Sequence, residues 1–212
     1  MSDLGAGRYP FAEEEWLFDG QPYPPYRRSL NRRDLATGST GVTLSTATLY
    51  CIAVPVQAGD IFNYVSFGVV TATASAAHSW VAVYNGVKTG AALLAQSTDV
   101  TTGFAAGANK ITLNSEIANS PTVGTPQGPS TAAIVASGPT IYGVVLYATA
   151  GSTVVDGTYS GGGVAGNVII TGQVPLLTTA SLSATATAPA VLPTMSNATK
   201  ATSIPYVVLS MQ

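Results

Sequence analysis

Any chemistry in this chain has to be built from very few groups. His78 is the single histidine and Cys51 the single cysteine among 212 residues. A Ser-His-Asp site would need His78, yet its surroundings, Ala76-Ala77-His78-Ser79-Trp80, lack the Gly-x-Ser-x-Gly turn that exposes a nucleophilic serine. A structural histidine ahead of a strand is the simpler reading. The carboxylates beyond residue 34 are Asp60, Asp99, Glu116 and Asp156, scattered over turns without metal-ligand spacing, so neither a metal nor a cofactor is expected. Glycoside hydrolysis would require two of these four to face each other across a cleft. Lys88-Thr89-Gly90 matches the Lys-Thr-Gly box of serine β-lactamases, but no Ser-x-x-Lys exists to supply the nucleophile, and a hairpin turn is expected there. The glycine-rich stretch 156–166 has no Gly-Lys-Ser/Thr and reads as a loop. Cys51 lies in an apolar run, where a buried thiol is expected; one cysteine makes neither an intramolecular disulfide nor a cysteine-rich zinc site. No catalytic residues are assigned, and a non-enzymatic role is expected.

The charged side chains are few and unevenly placed. Of 18 charges, 11 fall in residues 1–34, including all five arginines. The same segment holds six of the seventeen aromatics, Tyr9, Phe11, Trp16, Phe18, Tyr23 and Tyr26, together with four prolines that favour an extended backbone. A free tail is expected to be polar and poor in aromatics, so this arm is expected to lie on a surface, and a neighbouring protein explains its charge blocks best. Glu13-Glu14-Glu15 and Arg27-Arg28/Arg32-Arg33 suit docking by charge complementarity, in which guanidinium groups grip carboxylates through paired hydrogen bonds. Arg27, Arg28, Arg32 and Arg33 beside Tyr23 and Tyr26 could also meet phosphates and bases, but the acidic triplet before them and Asp34 after them argue against nucleic acid. The expected partner-binding set is therefore the six aromatics and these four arginines.

These groups must be carried by an all-β body. Ala, Gly, Ser and Thr supply 99 residues, a composition that excludes a helical bundle or coiled coil. Residues 35–41 read as a small-residue hinge and 42–212 as a β-sandwich or jelly-roll-like body. Strands are expected at 42–56, with Pro55 marking an edge or end, and at 61–70, 79–84, 93–97, 110–113, 132–136, 141–148, 168–171 and 206–211. Asn85-Gly86 signals a hairpin. Residues 117–130, 151–166 and 180–202 are long Gly/Thr/Ala-rich loops whose low charge suits coverage by neighbouring copies. No apolar run reaches the ~18 residues of a spanning helix, the first residues carry no secretory pattern, and a net charge of −2 gives no pull towards anionic lipid. A cytoplasmic origin without membrane association is expected.

Three of these strand regions, 46–67 (TATLYCIAVPVQAGDIFNYVSF), 79–97 (SWVAVYNGVKTGAALLAQS) and 141–147 (IYGVVLY), resemble β-sandwich domains in structural proteins of tailed phages that infect actinobacteria. That resemblance implies a virion component assembled in the host cytoplasm. The implied roles are minor capsid, capsid decoration, tail or fibre protein, often trimeric, with major capsid or tail proteins as partners. It transfers no catalytic residue. Capsid decoration is the first expectation for this chain. The alternative is a minor tail or fibre protein binding a host receptor or surface glycan, with Trp80, Tyr142, Tyr147 and Tyr159 as a stacking platform.

Overall fold

The computed structural model of the chain describes residues 26–28, 41–57, 60–72, 76–114, 134–136, 140–149, 153–159, 174–197 and 203–210. Among them the fold is all-β, without a helix. In chain order the strands are β1 (Tyr26–Arg28), β2 (Val42–Thr43), β3 (Thr48–Val56), β4 (Ile61–Phe62), β5 (Tyr64–Thr71), β6 (Ser79–Tyr84), β7 (Leu93–Gln96), β8 (Gly107–Thr112), β9 (Ile134–Val135), β10 (Thr140–Ala148), β11 (Val154–Val155), β12 (Gly157–Tyr159), β13 (Leu177–Ser181), β14 (Ser196–Asn197), β15 (Ser203–Pro205) and β16 (Val208–Ser210).

Two main sheets form a sandwich-like pair. One has the order β14-β13-β3-β10-β6-β7; the other runs β1-β16-β5-β11-β2, with β8 on the opposite edge of β5. Short two-stranded pairs, β12-β15 and β4-β9, lie beside them. The core between the sheets takes Ile52, Val54, Val81, Val83, Val144 and Leu146 from the first sheet and Val65, Phe67, Val69, Val155 and Leu209 from the second. Phe67 meets Phe104 edge to face at 5.0 Å.

The two sheets differ in how many faces they bury, and their sequences differ accordingly. β5 alternates, with Val65, Phe67 and Val69 inward and Tyr64, Ser66 and Gly68 partly exposed, as a strand covered on one side should. Every residue of β6 is buried. Its apolar run Trp80-Val81-Ala82-Val83-Tyr84 has no polar alternation because both faces are covered. The second cover is the segment 182–195. Leu182, Ala188, Leu192 and Met195 pack on a cluster that includes Leu49, Cys51, Trp80, Tyr84, Val145 and Tyr147. This corrects the expectation that residues 180–202 await a neighbouring copy: 182–197 close over the chain's own sheet.

Other expectations shift in detail. The strand expected over 42–56 is split by a turn in which Ala47 takes a φ of 54°. Pro55 marks the end of β3, beyond its pairing with β13. The Asn85-Gly86 signal does lie between paired strands β6 and β7, but Gly86 is not in the left-handed region a two-residue turn needs. The connection is wider, with Asn85 Oδ1 accepting from the Ala92 amide at 2.8 Å and Gly90 supplying the φ of +83°. Lys88-Thr89-Gly90 is part of that turn. The strand expected at 168–171 lies outside the described residues.

Candidate functional site

The arm meets the body through β1. Its three residues pair antiparallel with β16 at the sheet edge, in the register Tyr26↔Ser210, Arg27↔Leu209 and Arg28↔Val208. Arg27 thus shares the register position of Leu209, a core residue. A guanidinium cannot enter an apolar core unpaired, and here it reaches the carboxylate of Asp60 in the turn that joins β3 to β4. Arg27 Nε donates to Asp60 Oδ2 at 2.6 Å and Nη2 donates to Oδ1 at 2.8 Å. Nη2 also donates to Gln57 Oε1 at 3.3 Å, and the Gln57 amide donates to Asp60 Oδ2 at 2.6 Å. Both charged side chains are largely buried, 17% and 16% exposed. This two-pronged clasp is the strong form of an ion pair, and it fixes the point from which residues 1–25 depart.

Arg27 was expected to grip a carboxylate of another protein, but its carboxylate is in its own chain. The backbones of Tyr26 and Arg28 belong to the same edge strand. Tyr9, Phe11, Trp16, Phe18, Tyr23, Arg32 and Arg33 lie outside the described residues, as do the rest of the expected arm and the hinge before Gly41. Asp60 and Gln57 carried no sequence signal as partners, because they stand 33 and 30 residues from Arg27.

The carboxylates are dispersed. Asp60 sits beside the Val56 end of β3. Asp99 lies at the opposite end of the sandwich, where Oδ2 is 2.6 Å from His78 Nδ1 and Oδ1 accepts from the Ser79 amide at 3.0 Å. His78 is further tied to Thr149, whose amide donates to the His78 carbonyl at 2.9 Å and whose Oγ1 accepts from the His78 amide at 2.9 Å. The histidine residue therefore links the segments that carry Asp99 and Thr149. Asp156 lies on the second sheet, its amide donating to the Gly68 carbonyl. Glu116 lies outside the described residues. No two of the three described carboxylates face each other, and among the described residues no cluster of His, Cys, Asp and Glu could hold a metal.

The rings expected as a stacking platform are occupied. Trp80 and Tyr147 stack on each other at 4.6 Å beneath the 182–195 strap, and both are fully buried, as is Tyr142 in the core. The polar atoms of Trp80 and Tyr147, together with that of Tyr84, are used in closing the strap: Trp80 Nε1 donates to the Thr185 carbonyl at 3.0 Å, Tyr147 Oη to the Ser183 carbonyl at 3.1 Å and Tyr84 Oη to the Pro189 carbonyl at 2.8 Å. None of these rings offers a face to a sugar. The side chain of Tyr159 lies outside the described set. Cys51, under the same strap, is buried, and burial pushes its thiol up to about 12.

No protein-family model matches the chain, and no curated protein matches it.

Proposed function

We propose that this chain is a non-enzymatic structural protein of a tailed-phage particle, attached as a capsid-surface component by residues 1–25 and assembling with copies of itself. The observation that carries this reading is the clasped root of the arm. Five of the chain's seventeen aromatics precede residue 26, and the strand that follows them is built into the sheet edge and held by Arg27 and Asp60. Residues 1–25 therefore begin at a fixed point on a rigid body, as a tether must. Extended, they would reach about 80 Å at ~3.3 Å per residue. Their rings could each bury about 150–250 Å² in a partner, at about 25 cal/mol per Å² for the apolar part. The sequence resemblance to phage sandwich proteins supplies the particle.

The test is a chain lacking residues 1–25, produced during assembly of the particle. It should keep its β-type circular dichroism and cooperative melt while its co-sedimentation with particles drops to background. Co-sedimentation at the level of the full chain would overturn the tether.

A further inference from the structure

The strand topology gives the body two unlike ends. β3 runs up to Val56, the short turn 57–60 and β4 lead directly into Tyr64, and β10 starts at Thr140 opposite Val56. β16 ends at Ser210 opposite Tyr64, and β1 begins at Tyr26 opposite Ser210. The chain thus enters β1 from residue 25 and leaves β16 towards residue 211 at one and the same end, where Arg27 is clasped to Asp60. Asn114 and Ile134, which flank residues 115–133, stand there too, since Leu113 donates to the Asn63 carbonyl and β9 pairs with β4. At the far end, from which residues 29–40 set out after Arg28, the described turns are tied down from within. Gly103 donates to the Val100 carbonyl, Val100 to Ser79, and His78 is held by Asp99 and Thr149.

We propose that the end bearing the Arg27–Asp60 clasp faces the protein that holds the arm, and that the far end, around Thr102, projects away from it. The inference rests on the tether reading given above. Its second support is the chemistry of the near end. Ile61 and Leu176, the latter bonded through its carbonyl to Ala53, are two of the four large apolar side chains left exposed among the described residues. Arg27 and Asp60 cancel each other, and Lys88 in the β6–β7 turn and Lys110, whose Nζ lies 4.2 Å over the Tyr64 ring, are the charges there, among the described side chains, without an ionic partner. Such a surface fits a protein. A polyanion binds through several phosphate contacts at once, and two lysines, one of them already over a ring, do not supply them.

Thiol footprinting tests the proposal on the full chain. Cys51 is buried and contributes no background, so Thr140→Cys at the near end and Thr102→Cys at the far end, both exposed positions, report alone. A maleimide would be applied to the free protein and to purified particles carrying it. On particles Thr140→Cys should react at least about tenfold more slowly than in the free protein while Thr102→Cys stays within about twofold, since the centre of a protein interface excludes water and reagent. Protection of Thr102→Cys, or equal behaviour of the two positions, would overturn the assigned polarity and leave the tether standing. Absence of the unmodified chain from the particles would overturn the tether itself, and the polarity with it.

Discussion

Cys51, Tyr84, Tyr142 and Tyr147 share one electrostatic condition: burial raises the proton affinity of each above its ordinary value. In the unfolded chain the thiol titrates near 9.0 and the phenols near 10.0. Below pH 9 both states hold every one of these protons and the fold keeps its full stability. Above it the unfolded chain loses protons that the fold retains, so stability falls, by about 1.4 kcal/mol per pH unit for each group in that condition. Urea midpoints should hold steady up to about pH 9 and then decline with increasing slope. Cys51→Ala should remove the first part of that decline, which for the thiol spans about 9 to about 12; an unchanged slope in that variant would show the thiol to be solvated. The burial of Cys51 was legible from its apolar run. The partner of Arg27 was not, because the pairing is made by an edge register and a turn distant in sequence, and nothing near Asp60 in the chain encodes it.

At the level of elements, legibility followed apolar density. β3, β5, β6 and β10 were visible because they carry the core, and the alternation of β5 reports its single buried face. β13 was missed: Leu177-Thr178-Thr179-Ala180-Ser181 looks like loop composition, and it becomes a strand by pairing with β3. The strap was missed for the same reason, since small residues and carbonyls cover a sheet without an apolar signature of their own. One glycine records how closely these elements approach. A Cβ on Gly143 in β10 would collide with the carbonyl oxygen of Gly86 and lie 2.6 Å from Cys51 Sγ. Gly143→Ala should therefore cost about 1–3 kcal/mol, with backbone displacement rather than rotamer change as the response, and a thermal melt within a degree of the parent would refute the contact. The clasp makes a graded prediction. Arg27→Ala leaves Asp60 its bond from the Gln57 amide, whereas Asp60→Ala removes that bond too and strands a part-buried guanidinium. Each should cost about 1–3 kcal/mol, Asp60→Ala the more. In Arg27→Ala the amides of β16 should exchange faster while those of β3 and β10 keep their rates.

For the whole molecule, the charge map and the fold divide the chain at different residues. Composition puts the boundary near 34; the edge pairing puts Tyr26–Arg28 inside the body. Two truncations separate these views. A chain starting at residue 26 should match the urea midpoint of the full protein, whereas one starting at residue 35 loses β1 and the clasp and should be less stable by about 1–3 kcal/mol. Equal midpoints would show that β1 contributes nothing to the sheet. The all-β class and the charge-poor sandwich were readable because composition and strand spacing are averages over many residues, while the strap and the sheet edges depend on pairings between segments far apart. The pairing of β1 with β16 also orders events in time. The first described strand to leave the ribosome closes on the last, and β3 waits for β13 as β5 waits for β16. Folding dominated by such distant closures is slow and cannot finish before residue 210 has left the ribosome. Until β16 emerges β1 has no edge to join, so the Arg27–Asp60 root of residues 1–25 is set only on molecules whose β16 is already in place, and under the tether proposed above attachment would be coupled to completion of that sheet edge.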